Sequence, residues 1–296
     1  MYRRVRAPAM MGTVDAEPPP LRRNVTRTRV VSVRDGHRSE RPERVVTEEP
    51  MEVRVAGPGQ EPVSVSVTMR TPGHDFELAV GFLAGEGLVA SPSDVGSVRY
   101  CDVRGGGPQL YNVVSVDVAR PFDAEALRRN FYASSSCGVC GKATLEQLEV
   151  RCGAVPPGPP VPASVVLAMP QLLRRAQRIF DETGGLHAAG CFTRDGRVIA
   201  VREDVGRHNA LDKLVGRALL AGDLPMADLV LMVSGRVSFE IVQKAAAAGL
   251  PVICAVSAPS SLAVETAERL GMAVAGFVRG SGFNVYSCPE RIDLEA

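Results

Sequence analysis

The run from residue 228 to residue 256 reads DLVLMVSGRVSFEIVQKAAAAGLPVICAV. Its two ends, residues 228–233 and 252–256, are short apolar segments bounded by serine, glycine or proline, which is typical of buried strands. Residues 239–248 between them place apolar side chains at helical spacing. A strand, a helix and a second strand in this order predict two parallel neighbours joined by a helical crossover.

The same alternation continues on both sides of this unit. Predicted helices cover residues 208–220 and 261–270, and predicted strands cover residues 189–193, 197–201 and 273–278. Asp195-Gly196, between the first two of these strands, is a strong hairpin signal. An amphipathic helix is predicted to begin at Met169-Pro170. We therefore predict that residues 163–296 form a three-layer α/β domain around a largely parallel sheet.

The first half of the chain has a different pattern. Segments rich in β-branched residues predict strands, and one helix is predicted over residues 75–83 between turn residues. The predicted strands cover residues 29–34, 45–55, 63–68, 98–103 and 110–118. These patterns predict a disordered basic tail (1–28), a β-rich subdomain (29–133), a cysteine loop with a proline-rich connection (134–162) and the α/β domain (163–296).

Composition limits the classes of partner. The 296 residues are 45% hydrophobic and 23% charged, with a net charge of +1. Residues 1–30 hold seven arginines against Asp15 and Glu17, or +5, so the remaining residues sum to −4. A net charge this close to zero, with the basic excess confined to the N-terminal tail, argues against a large nucleic-acid-binding surface. No run has the length of a membrane span or the apolar core of a signal peptide, so we expect a cytoplasmic protein that does not enter membranes.

Seven cysteines, an odd number spread along the chain, do not suggest a disulfide framework. Two of them, Cys137 and Cys140, form a Cys-x-x-Cys pair among serines and glycines and precede Lys142, a cation that would favour a thiolate. Metal-binding, redox and sulfur-handling roles all fit such a pair. Structural zinc needs four ligands, and no second close pair of cysteines or histidines exists, so we predict no metal site.

Three junctions of the α/β domain are rich in small and hydroxyl residues. They are Ser234-Gly235-Arg236-Val237-Ser238, Ser257-Ala258-Pro259-Ser260-Ser261 and Arg279-Gly280-Ser281-Gly282. In a parallel sheet such loops meet at the carboxyl ends of the strands, where ligands usually bind. Helix N-termini and the two arginines favour an anionic, nucleotide-like ligand, although serine and glycine also serve simply as helix caps and turns.

The densest polar run covers residues 202–209 and continues to Asp212 and Lys213. Asp212 falls one turn after His208, so the two side chains are predicted to share the opening face of a helix. A carboxylate there could bind a guanine edge or orient His208, or the run could be a solvated helix start. His187 is a second histidine that could act as a general base or be an ordinary loop residue.

Together these stretches resemble the formate dehydrogenase accessory protein family, the FdhD-type sulfur carriers, from about residue 45 to residue 288. The matching motifs are Met69-Arg70-Thr71-Pro72-Gly73 with Gly81-Phe82-Leu83 and Glu86-Gly87, the segment from Ser136 to Lys142, Thr183-Gly184-Gly185-Leu186-His187, the segment from Glu203 to Lys213, Ser234-Gly235-Arg236, and the segment from Gly276 to Tyr286. The segment from Glu203 to Lys213 is the most specific of them.

The resemblance implies a cytoplasmic, homodimeric sulfur carrier of sulfurtransferase type, without conventional small-molecule turnover. Such proteins accept sulfur from a cysteine desulfurase as a persulfide and pass it to the molybdenum bis(molybdopterin guanine dinucleotide) cofactor before that cofactor enters formate dehydrogenase. Cys137 would carry the persulfide, and Cys140 would be a helper or secondary acceptor. The α/β domain would be cytidine-deaminase-like without zinc chemistry, and the cofactor would be bound as cargo.

The cofactor site that the junctions and the resemblance predict has two parts. The first is the segment that matches the family's cofactor-binding stretch, namely Phe277, Val278, Arg279, Gly280, Ser281 and Gly282, and the second comprises Ser234, Arg236, His208 and Asp212. Two competing classes remain open. One is a nucleotide-modifying enzyme with His187 or His208 as general base, and the other is a cofactor-binding chaperone whose cysteines are incidental.

Overall fold

A six-stranded sheet forms the centre of the C-terminal half in the structure, a computed structural model that describes residues 23–101, 111–123 and 153–295. The strands follow the order β13-β12-β11-β10-β8-β9. Their bounds are β8 His187–Thr193, β9 Val198–Asp204, β10 Leu229–Val233, β11 Val252–Ala255, β12 Ala273–Arg279 and β13 Gly282–Ser287. Strands β10, β11 and β12 are parallel, whereas the β10–β8, β8–β9 and β12–β13 pairs are antiparallel.

Helices cover both faces of this sheet. Their bounds are α2 Ala163–Ala176, α3 Arg178–Thr183, α4 Arg207–Ala221, α5 Phe239–Ala247 and α6 Ser261–Arg269. Alternate residues of β10 point to opposite faces, so Leu231 joins a core with α4, α5 and α6 while Met232 joins a core with α2. The predicted three layers are present.

The N-terminal half is built from strands and one helix. Strands β3 Glu49–Ala56, β4 Val63–Arg70, β5 Val95–Tyr100 and β6 Val113–Val118 form a sheet in the order β4-β3-β6-β5, and α1 spans Asp75–Gly85. Strands β1 Val25–Arg34 and β2 His37–Val46 pair only with each other among the described strands. Strands β7 Val161–Pro162 and β14 Ile292–Asp293 form a short parallel pair.

Helices α1 and α4 join the two halves at a backbone-to-backbone contact. A Cβ atom placed on Gly81 would lie 1.8 Å from the carbonyl oxygen of Asp212, and one on Gly216 would lie 1.8 Å from that of Glu77. Any side chain at either position would force the helices apart, since real Cβ atoms never come so close. Apolar residues of both halves accordingly belong to one continuous core.

Four sequence predictions are corrected. The sheet is mixed rather than largely parallel, because hairpins add β9 and β13 at its two edges. Helix α2 begins at Ala163 rather than Met169, because apolar spacing through Val166, Met169 and Leu173 continues across Pro170. Strand β1 begins at Val25, inside the predicted disordered tail, because residues 25–28 pair with residues 43–46. Strand β13 was not predicted at all.

The described residues do not include residues 1–22 of the predicted tail or residues 134–152 of the predicted cysteine segment. None of the helices in the described ranges combines the length and the apolar composition that a membrane crossing requires.

Candidate functional site

The polar stretches predicted from the sequence meet along one edge of the six-stranded sheet. Parallel strands β10, β11 and β12 all end there. Strand β8 is antiparallel to its neighbours, so it begins at this edge with His187, which pairs with Asp204 at the end of β9. The edge therefore carries both histidines of the α/β domain and all three predicted junctions, in agreement with the rule that ligands bind at strand carboxyl ends.

The junction after β10 is held to its neighbours by short hydrogen bonds. Ser234 Oγ accepts a bond of 2.8 Å from the Ala188 backbone N–H, which fixes the end of β10 against the start of β8. Val237 bridges to Pro259, so the junctions after β10 and β11 run side by side. Arg236 between them is exposed. A bidentate donor is thus displayed to solvent from a fixed turn.

His208, in the first turn of α4, is tied to the first turn of α5. Its Nε2 lies 3.2 Å from Ser238 Oγ and 3.0 Å from Glu240 Oε2. The hydrogen bond with His208 is the main reason why the pKa of Glu240 is lowered. Serine and carboxylate both contact the same ring nitrogen, whereas a Ser-His-acid relay needs them on opposite nitrogens. This arrangement is a poor general-base site.

His187 is half-buried beside the turn at Gly235. A Cβ atom on Gly235 would lie 3.2 Å from His187 Nδ1 and 3.7 Å from Arg207 Cδ, so glycine allows these three groups to approach. Burial, followed by the charges of Arg207 and His208, lowers the pKa of His187. The imidazole is therefore neutral at physiological pH and presents one N–H donor and one acceptor.

Arg207 is a residue of this edge that the sequence analysis did not select. Its Nε atom is buried and has no hydrogen-bond partner among the described residues. An unsatisfied buried donor costs free energy, so such groups in proteins call for an explanation. The residue was already visible in the sequence as the neighbour of His208 in the densest polar run, but nothing there distinguished it from other surface arginines.

The segment from Phe277 to Gly282 is a hairpin between β12 and β13 rather than a strand-to-helix loop. Phe277 has a φ of 53°, an uncommon conformation for a non-glycine residue, and its N–H donates to Ser257 O at 3.2 Å. The Arg279 guanidinium carbon lies 5.5 Å from the centre of the Phe277 ring. Backbone strain of this kind is concentrated at functional sites. Residues 279–282 are exposed at the tip.

Asp212 occupies the interior instead of the edge. It is 3% exposed, and its Oδ1 accepts a 2.7 Å hydrogen bond from Lys244 Nζ. Burial raises the pKa of Asp212, while the charge of Lys244 opposes that rise. His208 and Asp212 do share the face of α4 that is turned to α5, because His208 contacts Ser238 and Glu240 there while Asp212 binds Lys244, but Asp212 lies at the buried end of that face. Its position argues against the predicted contact with a cofactor.

A second interior network uses the rest of the same polar run. Lys213 Nζ lies 2.7 Å from Asp204 Oδ2 and 2.9 Å from Thr71 O. Asp204 also accepts hydrogen bonds from Thr71 N, Gly206 N and Asn209 Nδ2. These contacts join the turn after β4 to the loop before α4. The most specific motif of the sequence therefore serves partly to hold the two halves together.

The predicted persulfide pair, Cys137 and Cys140, lies outside the described residues. Among the described cysteines, Cys191 and Cys254 are fully buried, and burial raises the pKa of each thiol to about 12. Burial likewise raises the pKa of Cys288. Since the thiolate is the nucleophile, these three are poor sulfur carriers. Within the described part of the chain, no group of three or more potential ligands could hold a metal ion.

Comparisons with known proteins agree with this architecture. The model of the FdhD/NarQ family matches residues 46–293. The sulfur carrier protein FdhD of Streptomyces coelicolor is 49% identical over 276 residues, covering 91% of this chain and 96% of the relative. That of Mycolicibacterium paratuberculosis is 50% identical over 272 residues, covering 90% and 98%.

A crystal structure from Desulfotalea psychrophila, whose protein is described as a candidate formate dehydrogenase accessory protein, shares the fold with a TM-score of 0.70. It is 24% identical in sequence, and the match covers 92% of this chain and all of that one. This likeness concerns the fold alone.

Proposed function

The chain belongs to the FdhD/NarQ family, and from that premise we propose that it accepts sulfane sulfur on Cys137 from a cysteine desulfurase and delivers it to a guanine-dinucleotide molybdenum cofactor destined for formate dehydrogenase. The observation that supports this proposal best is the sheet edge at Ser234, Arg236 and the Phe277–Arg279 strand end. It displays donors suited to phosphate groups. The cofactor is cargo here, so the edge needs to hold it rather than transform it.

Loading of the carrier requires one thiol exchange. The Cys137 thiolate attacks the outer sulfur of the desulfurase persulfide, the S–S bond of the desulfurase breaks, and its cysteine leaves as a thiolate. Cys137 then bears a persulfide. Among the described cysteines, Cys191 and Cys254 are disfavoured for this role by burial and high pKa.

Delivery of the sulfur as sulfide needs two electrons. The Cys140 thiolate supplies them by attacking Cys137 Sγ, which forms a Cys137–Cys140 disulfide and releases hydrosulfide for the molybdenum centre. A cellular dithiol then reduces the disulfide for the next cycle. This assigns unequal roles to the pair, with Cys137 as carrier and Cys140 as the group that releases the sulfur.

The competing function of a nucleotide-modifying enzyme is less well supported. It requires His187 or His208 as general base, yet His208 is engaged through one nitrogen by both Ser238 and Glu240. His187 is neutral and could accept a proton, but no carboxylate is bonded to it in the described part of the chain to orient its ring. A general base has to be held within hydrogen-bond reach of the proton that it removes.

The test is a comparison of Cys137→Ala with Cys140→Ala after incubation with a cysteine desulfurase and cysteine. We expect the wild type and Cys140→Ala to gain a mass of about 32 Da, one sulfur atom, on the Cys137 peptide. Cys137→Ala should gain none, and formate dehydrogenase activity should be lost in cells that carry either variant. Nucleotide binding should remain in both, since the edge is unchanged. Full formate dehydrogenase activity with Cys137→Ala would refute the proposal.

A further inference from the structure

Arg207 stands at the head of α4 with unused hydrogen-bonding capacity. Its buried Nε has no partner among the described residues, although a guanidinium normally spends its donors on carboxylates, carbonyls or phosphates. Residues 207–221 form a helix of 15 residues whose N-cap, Gly206, contributes no side-chain hydrogen bond. The helix dipole and its first N–H groups therefore add to the positive potential around this guanidinium.

The neighbouring carboxylates are already engaged elsewhere. Glu240 is bound to His208 at 3.0 Å, and Asp204 is bound to Lys213 at 2.7 Å with three further donors. Neither accepts a hydrogen bond from Arg207 Nε in the described structure. After the hydrogen bond with His208, the charge of Arg207 also contributes to the lowered pKa of Glu240. Arg207 Nε nevertheless remains a buried donor without a partner among the described residues, and a free donor on a cation is what an anion site provides.

His187 and Gly235 complete the shape of the corner. The imidazole lies beside both the Gly235 backbone and the Arg207 side chain. Being neutral, it offers an N–H donor without the hydration shell of a second cation. Gly235 keeps the space open, because even a methyl group there would lie 3.2 Å from the ring.

This corner is separated from the Phe277–Gly282 hairpin along the sheet edge. Strands β8 and β12 are three places apart in the strand order, or about 14 Å at the usual strand spacing. A ligand with polar groups at both ends could contact the Arg207 corner with one end and the Phe277–Gly282 hairpin with the other. The two regions cannot both contact one phosphate group.

We propose that Arg207, His187 and the Ser234–Gly235 turn form a second anion-binding subsite, which takes a phosphate or diphosphate group, while the Phe277–Gly282 hairpin takes another part of the same ligand. The identity of the whole ligand, a guanine dinucleotide, rests on the proposed function. The subsite itself is defined by its charge and donors. Diphosphate from the cofactor and diphosphate from a free nucleotide share this chemistry.

The experiment is calorimetric titration of the full chain with inorganic diphosphate, with GDP and with guanosine. We expect Arg207→Gln to weaken the binding of diphosphate and of GDP at least about tenfold, the effect of losing a charged hydrogen bond. Guanosine should bind as it does to the wild type. Arg197→Gln removes the same charge from an exposed position at the opposite end of the β8–β9 hairpin, and it should leave all three affinities unchanged.

Gly235→Ala is a second variant that retains every charge. It should weaken diphosphate binding by displacing His187, whose Nδ1 would lie only 3.2 Å from the added methyl group. An unchanged thermal midpoint would show that the fold is intact. Equal diphosphate affinity in Arg207→Gln and Arg197→Gln would overturn the subsite, as would a wild type that binds no diphosphate. Failure of the wild type to gain a sulfur atom on the Cys137 peptide would refute the carrier function alone, since the diphosphate titration does not involve that cysteine.

Discussion

Two groups of polar residues drawn from one continuous run behave in opposite ways. Asp204, Asp212 and Lys213 point inward and are each at most 3% exposed, whereas Arg207 and His208 point to the sheet edge. The inward groups are fully engaged in ion pairs and hydrogen bonds. Arg207 at the edge retains an unused donor. Burial together with complete hydrogen bonding, rather than polarity, therefore distinguishes the inward residues from Arg207.

The strongest test of the structural role of the inward residues is to remove one partner of their ion-pair network. Lys213→Met leaves the Asp204 carboxylate buried without its cation, and we expect the free energy of unfolding to fall by about 3–5 kcal/mol. Urea unfolding followed by far-UV circular dichroism measures the loss. A decrease below about 1 kcal/mol would show that the network is not structural.

The same helix offers a matched control for Lys213→Met. Arg217 lies one turn further along α4 and pairs with the exposed Asp223 at 3.5 Å. Arg217→Met removes the same charge, yet it should cost at most about 1 kcal/mol, because exposed ion pairs contribute little. Similar losses in both variants would mean that charge on α4, rather than burial, determines stability.

Glu77 of α1 provides a smaller and pH-dependent test. Burial alone would raise the pKa of Glu77, but hydrogen bonds from Arg202 and then His74 outweigh it and lower the pKa to about 2 from 4.5. Because the folded-state pKa is depressed, the carboxylate adds stability above pH 4.5 that is lost as the pH falls towards 2. Glu77→Gln should cost about 3 kcal/mol at neutral pH.

The test is how the stability difference between wild type and Glu77→Gln changes with pH. The difference in unfolding free energy between wild type and Glu77→Gln should shrink steadily from pH 4.5 downwards and approach its minimum near pH 2, close to the folded-state pKa. Chemical denaturation at a series of pH values measures it. A difference that stays constant across this range would mean that the substitution acts through packing rather than through the ion pair with Arg202.

The smallest stability effect is expected at the edge. Arg236 is exposed, so Arg236→Gln should change the free energy of unfolding by less than about 0.5 kcal/mol. Its affinity for GDP should nevertheless fall, because a donor for the ligand is removed. Thermal unfolding tests the expected stability, and GDP titration of the same preparation tests the expected loss of affinity. A large loss of stability with normal GDP binding would place Arg236 with the structural group.

Sequence periodicity was sufficient for the centre of the fold. The strands and helices around residues 228–256 follow from apolar runs, helical spacing and turn residues, and the hairpin at Asp195-Gly196 was predicted correctly. Helix α2 and strand β13 were harder. A proline inside α2 looked like a helix start, and the glycine-rich tip at Gly280 and Gly282 looked like a loop rather than a hairpin turn.

The meeting of the three junctions at one sheet edge was predictable from the sequence, but the partners of the individual side chains were not. Strand order places the three junctions at one edge, and the anionic ligand that their composition indicates stays a prediction. The partner of Asp212 is Lys244, 32 residues further along the chain, and the sequence does not show which buried charges meet across such separations. Arg207 was overlooked for the same reason, since lack of a partner is a property of three-dimensional packing.

The contact between Gly81 and Gly216 limits how this protein can be dissected. Helix α1 lies between the N-terminal sheet and α4, so the core on this side of the C-terminal sheet is completed only when both halves are present. A fragment comprising residues 153–295 would uncover the apolar face of α4, and residues 23–123 would uncover that of α1. Large uncovered apolar surfaces lead to aggregation. Truncated pieces would therefore report on insolubility rather than on sulfur or nucleotide chemistry, and the roles of individual residues have to be assigned by point substitution in the intact chain.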